Sequence, residues 1–231
     1  MSKQEISSEI DIFYNDLNQL QNDLYQEKNH PFLTKHVNKF LTKRVLIPFC
    51  GKSPEIAWFA SKGFEVVGIE NREENCENFF NLQNLECLKS EVKNFQLFAS
   101  KDGKIKIYNG DIFNFTNEYE ETFDCIWDRM TFWTFTEEKK TRYVEHLKKI
   151  MSPNIRYLLH TFDSELPSLK GPPFGCKLND LQNIFGDDYA ILLIESSKPV
   201  KVEFLKKSVI VQENFYLVKK FMKNRCNFYA F

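Results

Sequence analysis

The apolar and polar positions change rhythm several times along the chain, and each rhythm predicts a different element. Ile6, Ile10, Phe13, Leu17, Leu20 and Leu24 recur at alternating steps of four and three among Asn, Asp, Gln and Glu. That is one apolar helical stripe at heptad spacing. It covers less than the three or four heptads that mark a coiled coil, so it suits a helix packed on its own domain or a seam for a partner helix. A second, short helix is expected over Phe32 to Phe40. Val45-Leu46-Ile47-Pro48 then forms an unbroken apolar run, as in a strand buried on both faces in the middle of a parallel sheet. Gly51 permits a tight turn and lets a ligand approach bare backbone. Ser53-Pro54-Glu55 reads as a helix start, with an N-cap Ser, Pro at the first helical position and an acid in the first turn.

Downstream, helix and strand patterns alternate. Pro54 to Lys62 is expected to be a helix that buries Ile56, Trp58 and Phe59 and stops at Gly63. Phe64 to Glu70 is a short strand ending in an acid, and Glu73 to Asn81 a helix. The polar, irregular stretch from Leu82 to Ser100 reads as helix plus loop. Strands follow at Ile105 to Tyr108 and Phe123 to Arg129. Thr136 caps a helix from Glu137 to Met151, whose Tyr143, Leu147 and Ile150 share a face. A fifth strand runs from Arg156 to Phe162, and a short helix from Leu178 to Phe185 is stopped by Gly186. Ala190 to Glu195 and Val209 to Lys219 close the chain as an antiparallel pair at the sheet edge.

Such alternation predicts an α/β fold in which ligands lie beyond the carboxyl ends of the strands. Gly51, Glu70, Asp111 and Arg129 with Asp128 each stand at such an end, so four strand exits converge on one crevice. Glu70 follows the glycine turn by about twenty residues, where Rossmann-like folds place the carboxylate that binds ribose hydroxyls. Asp111 can accept from an adenine amino group while Ile112 packs on the ring; the plainer alternative is an Asx turn without a ligand.

Composition narrows this further. The chain has 231 residues, 23 of them Phe and only 8 Gly, which suits one domain with an ample core. A net charge of −1 gives no steering toward nucleic acid or an anionic membrane. No run reaches transmembrane length, and Met1 to Leu24 is too polar and acidic for a targeting peptide. Cys50, Cys76, Cys87, Cys125, Cys176 and Cys226 lack metal-like spacing, which favours free thiols in a cytoplasmic setting. The four His (30, 36, 146 and 160) likewise show no ligand spacing, and no metal is expected. Gly51-Lys52-Ser53 imitates a P-loop ending, but Leu46 stands where that motif needs glycine. A dinucleotide oxidoreductase would want three glycines in the turn, and only Gly51 is present.

The segments Arg44 to Ser53, Glu65 to Glu70, Ile126-Trp127-Asp128-Arg129 and Gly171-Pro172-Pro173-Phe174 together resemble the thiopurine S-methyltransferase family, in the family's order and over Val45 to Leu217. The resemblance implies a class I methyltransferase fold: a seven-stranded, mostly parallel sheet with an antiparallel last strand and helices on both faces. It implies one domain over residues 1–231, with 1–40 as a helical extension or lid. It implies S-adenosylmethionine as cofactor, held by Phe49, Cys50 and Gly51 at its methionine part, Glu70 at the ribose, and Asp111 and Ile112 at the adenine. Asn71 and Leu17 fall at further cofactor positions. Arg129 would sit near both cofactor and acceptor, where a guanidinium favours a thiolate; the alternative is a structural ion pair with Asp128 or another acid. Leu24, Met130 and Phe174 would shape the acceptor pocket. The implied reaction is methyl transfer to the sulfur of a small aromatic or heterocyclic thiol, which needs placement more than an acid or base because the sulfonium is already activated.

The chain departs from the family around the pocket. Leu17 stands where the family has Trp, and Leu24-Tyr25 where it has Phe-His. Asn71 replaces an apolar residue, Met130 and Thr131 replace small ones, and an Arg ahead of the last strand gives way to Lys206 and Lys207. Two readings follow: an enzyme with a changed acceptor, supported by Glu70, Asp111 and Arg129, or a methyltransferase-fold protein serving as an interaction subunit through its first helix.

Overall fold

Arg44–Pro48 forms the central strand, β1, of a ten-stranded sheet. The structure, a computed structural model, describes residues 29–164, 174–204 and 207–221. The apolar stripe of residues 6–24, with Leu17 and Leu24, and the Gly171-Pro172-Pro173 turn lie outside them. Before β1 come a short helix, α1 (Pro31–His36), and a 3-10 turn over Val37–Lys39. The expected second helix is therefore shorter and ends in a tighter coil.

After β1 the chain runs through α2 (Pro54–Ser61), β2 (Glu65–Glu70), α3 (Glu73–Leu82), β3 (Cys87–Val92), β4 (Phe95–Ser100) and β5 (Ile105–Asn109). It continues through β6 (Phe123–Arg129), α4 (Thr131–Thr134), α5 (Glu137–Ile150), β7 (Met151–Ser164) and α6 (Leu178–Phe185). It closes with β8 (Tyr189–Ser196), β9 (Val200–Phe204) and β10 (Lys207–Lys220). The sheet order is β3-β4-β5-β2-β1-β6-β7-β10-β8, with β9 also paired to β10.

Strands β5, β2, β1, β6 and β7 are parallel, β10 runs antiparallel between β7 and β8, and β8 returns to the common direction. The seven strands from β5 to β8 in that order are the expected methyltransferase core. Three more strands enlarge it. The stretch from Leu82 to Ser100 contains the β3–β4 hairpin, closed over Lys93 at φ +52°, where a helix plus loop was expected. Its outer strand is exposed or half-exposed throughout, so it carries no alternating apolar signal. Beyond Pro199, β9 continues the edge begun by β8, pairing with the opening residues of β10.

Alternation along β1 explains its unbroken apolar run. Val45 and Ile47 face a core completed by Leu33, Ile56, Phe59 and Phe79 from α1, α2 and α3. Leu46 faces the opposite core, where Tyr143, Val144 and Leu147 of α5 meet Leu181 and Phe185 of α6. Thr136 caps α5 by accepting from the Lys139 N–H, and Gly186 at φ +73° ends α6, both as expected. The chain departs from β1 toward β2 on one side and returns to β6 on the other, so the switch point lies at the carboxyl ends of β1 and β6. No helix among the described residues is long and apolar enough to cross a membrane.

Candidate active site at the carboxyl ends of the parallel strands

At the exit of β1 the backbone turns left-handed twice, at Phe49 (φ +46°) and Gly51 (φ +55°). A Cβ built on Gly51 would meet nothing within 4 Å, so this backbone faces open space. Phe49 accepts the strain of a positive φ and lays its ring edge-on against Phe135 at 5.5 Å, with Tyr143 at 5.9 Å. Cys50 points inward and is buried. Its thiol occupies room that only glycine leaves, for a Cβ on Gly68 of β2 would stand 2.6 Å from the Cys50 Sγ. Burial, with the Glu70 carboxylate nearby, pushes the Cys50 thiol well above its usual pKa.

Glu70 binds the turn to its neighbours. The Gly51 N–H donates to Glu70 Oε2 at 2.9 Å, and the Arg72 N–H to Oε1 at 2.8 Å, with Asn75 Nδ2 at 3.2 Å. The Glu70 carbonyl meanwhile accepts from the Gly110 N–H and from Asn109 Nδ2. The exits of β1, β2 and β5 are thus brought together by one residue. Asn71 beside it is exposed. Asp111 is also exposed and accepts from the Phe113 N–H at 3.0 Å, which is the Asx turn, while its carboxylate stays in reach of solvent. Ile112 is fully buried within the core, so its side chain supports the crevice from beneath.

The exit of β6 is organised differently. Asp128 and Arg129 point to opposite faces of the sheet. Asp128 is buried and accepts from the hydroxyls of Tyr143 (2.7 Å) and Tyr157 (2.5 Å); burial holds its carboxyl above the usual range, with the hydroxyl donors opposing. Arg129 pairs instead with Glu55 of α2, Nη1 to Oε1 at 2.8 Å. Glu55 is fully buried, and its carboxylate also accepts from the His30 N–H and the Ser53 hydroxyl. Ser53 is therefore not a side-chain cap of α2, contrary to its sequence context. The inward face of α2 is Glu55, Ile56 and Phe59, with Trp58 only half-buried.

Met130 follows at φ +67° and is buried. Phe174, half-buried, donates its N–H to the Trp133 carbonyl at 2.8 Å. The adjoining Gly175 carbonyl accepts from Lys140 Nζ, a buried ammonium that also pairs with Glu137.

Sequence spacing separates the histidines, yet the fold joins two of them. The rings of His30 and His160 lie 4.4 Å apart, and their Nε2 atoms approach Glu213 of β10 at 3.9 and 4.0 Å. Each offers one ligand-type atom within 4.8 Å of the others. The Phe32 N–H donates to His30 Nδ1, so the neutral ring carries its proton on Nε2, facing Glu213. A metal at that nitrogen would have to displace the proton. Burial first, then the nearby Arg129 charge, pushes His30 down to about 3; burial, His30 and Arg129 keep His160 well below its usual value.

The glycine turn opening onto free space, an acid at the β2 exit bonded to it, and an exposed acid at the β5 exit suit the methionine, ribose and adenine parts of S-adenosylmethionine. Comparison with known proteins bears on the family and the fold. The family model described as Thiopurine S-methyltransferase (TPMT) matches residues 14–221. A probable thiopurine S-methyltransferase of Danio rerio is 34% identical over 72% of this chain and 75% of its own length. The thiopurine S-methyltransferase of Bos taurus is 32% identical over 74% and 73%. Among solved structures, a SAM-dependent methyltransferase from Methanosarcina mazei superposes with a TM-score of 0.57 at 14% identity, over 84% of this chain and 99% of that one. TehB from Haemophilus influenzae reaches 0.59 at 15% identity, over 87% and 66%. These two show the fold alone. With the matched family model and relatives above 30% identity, the chain belongs to the thiopurine S-methyltransferase family and is an S-adenosylmethionine-dependent methyltransferase.

Proposed function

We propose that this enzyme methylates the sulfur of a small aromatic or heterocyclic thiol. The observation that carries the reading is Arg129, a guanidinium at the exit of β6 linked through Glu55 to Ser53 of the glycine turn, within a family whose curated relatives are named for thiol methylation. S-adenosylmethionine, when bound, supplies a methyl group already activated by its sulfonium charge. The chain's own task is then to bind, orient and exclude water. Glu70 takes the ribose hydroxyls, the Phe49 to Gly51 backbone the methionine part, and Asp111 with Asn71 the adenine side, over Ile112. Arg129 attracts the acceptor as thiolate, the reactive form of sulfur. Met130 and Phe174 wall the acceptor. The acceptor's own proton leaves to solvent, so no side chain need act as a general base.

The test is a screen of aryl and heteroaryl thiols with labelled S-adenosylmethionine, with product identified by mass. Methyl-thioether product from wild type, with Arg129→Gln lowering kcat/KM about 100-fold and S-adenosylhomocysteine affinity far less, supports the reading. Methylation of oxygen or nitrogen acceptors in preference to every thiol would sink it.

A further inference from the structure

The acid in the first turn of α2 is placed as no ordinary first-turn acid. Such residues usually face solvent and interact with the helix dipole. Glu55 is fully buried, and a buried carboxylate is costly unless charge and hydrogen bonds compensate it. Three segments supply that compensation: Arg129 from the end of β6, the His30 backbone ahead of α1, and Ser53 from the glycine turn. The Arg129 side chain is 18% exposed, so its charge is not sealed into the core with Glu55.

We propose that Glu55 is a positioning residue for methyl transfer, fixing the Arg129 guanidinium at the acceptor site and tempering its positive charge. This rests on the reading of Arg129 given above. The arrangement sets two quantities at once. The 2.8 Å contact fixes where the cation stands, and the carboxylate's charge lowers the field that an incoming sulfur meets. Among the described residues, the titratable groups shown to feel that head are Glu55 of α2, paired with it, and His30 and His160, whose protonation its charge opposes; Glu213 of β10 stands beside the two histidines. Burial holds both histidines neutral at ordinary pH, so neither contributes a competing charge there.

Glu55→Gln separates position from charge, because its amide oxygen still accepts from Arg129 and from His30. The readout is the acidic limb of the single-turnover rate, which reports ionisation of the bound thiol. Two probes are used: 4-methylbenzenethiol, a weak acid, and 4-nitrobenzenethiol, which is thiolate throughout. In Glu55→Gln the limb for the weaker acid is expected to move about one pH unit lower, while the rate with 4-nitrobenzenethiol shows no such limb. Glu55→Asp keeps the charge on a shorter arm and should restore the wild-type limb at a reduced rate. Glu55→Ala loses the anchor and should lower the rate about 100-fold, with S-adenosylhomocysteine affinity unchanged by calorimetry.

A limb that stays in place in Glu55→Gln, with a wild-type rate in a folded protein, overturns the inference. Should that variant not fold, Ser53→Ala replaces it. Stripping one donor from the carboxylate strengthens its hold on Arg129 and should raise the limb; an unmoved limb is equally fatal. If Arg129→Gln itself leaves rate and limb at wild-type values, the fault lies with the reading of Arg129.

Discussion

The two halves of the crevice are built on opposite plans. On the β1–β2–β5 side one residue, Glu70, joins three strand exits through its carboxylate and its carbonyl, and its partners are mostly backbone N–H groups. On the β6–β7–β10 side the work is divided among Arg129, Glu55, His30, His160, Glu213 and Lys140, drawn from across the chain. Backbone donors are indifferent to side-chain change, so the first half can persist while sequences drift. Side-chain pairs respond to every substitution, so the second half is the one that sequence change can rearrange.

The sharpest way to break this comparison is Glu70→Ala. It should weaken S-adenosylhomocysteine binding by about 100-fold or more, roughly 3 kcal/mol, measured by calorimetry. If binding survives, the first half is not centred on Glu70. A smaller effect concerns the second half and its buried histidines. His30 and His160 are held neutral when folded but protonate near 6.5 when unfolded, so the unfolded state binds more protons below that pH. Stability should therefore fall as pH drops, by about 2 kcal/mol per histidine between pH 6.5 and 5. Urea unfolding at both pH values checks this, and His160→Asn should remove about half of the slope. The smallest effect is expected from Lys140→Met, which frees the Gly175 carbonyl beside Phe174. KM for the acceptor should rise several-fold, about 1 kcal/mol, while the cofactor Kd stays put; a change in cofactor Kd instead would mean that the halves are not separate.

The same division governs what could be read from the amino acids alone. The first half is local: strand, glycine turn, helix start and an acid a fixed distance on are visible as one pattern around Gly51 and Glu70. Glu55 is not visible in that way. An acid in a first helical turn has the same sequence context whether exposed or buried, and its partner Arg129 lies 74 residues away. Residues His30 and Glu213 come from opposite ends of the described chain; the register of β7 with β10 sets His160 near Glu213, and His30 joins them from ahead of α1. The β3–β4 hairpin escaped because a solvent-facing edge strand needs no apolar alternation, whereas buried Phe95 and Phe98 on the inner strand were signals without a partner. The parallel core, each of its strands shielded on two faces, was legible, save that β7 begins at Met151, where the helix was expected to end, and not at Arg156.

One feature of the turn bears on how such an enzyme survives its own chemistry. A site that handles an activated methyl group endangers any sulfur of its own within reach, and Cys50 stands in the glycine turn at the exit of β1. The missing side chain at Gly68 gives that thiol a recess behind β2, where it stays buried and protonated. A glycine two strand positions before Glu70 thus keeps a sulfur nucleophile folded away from the open side of the turn.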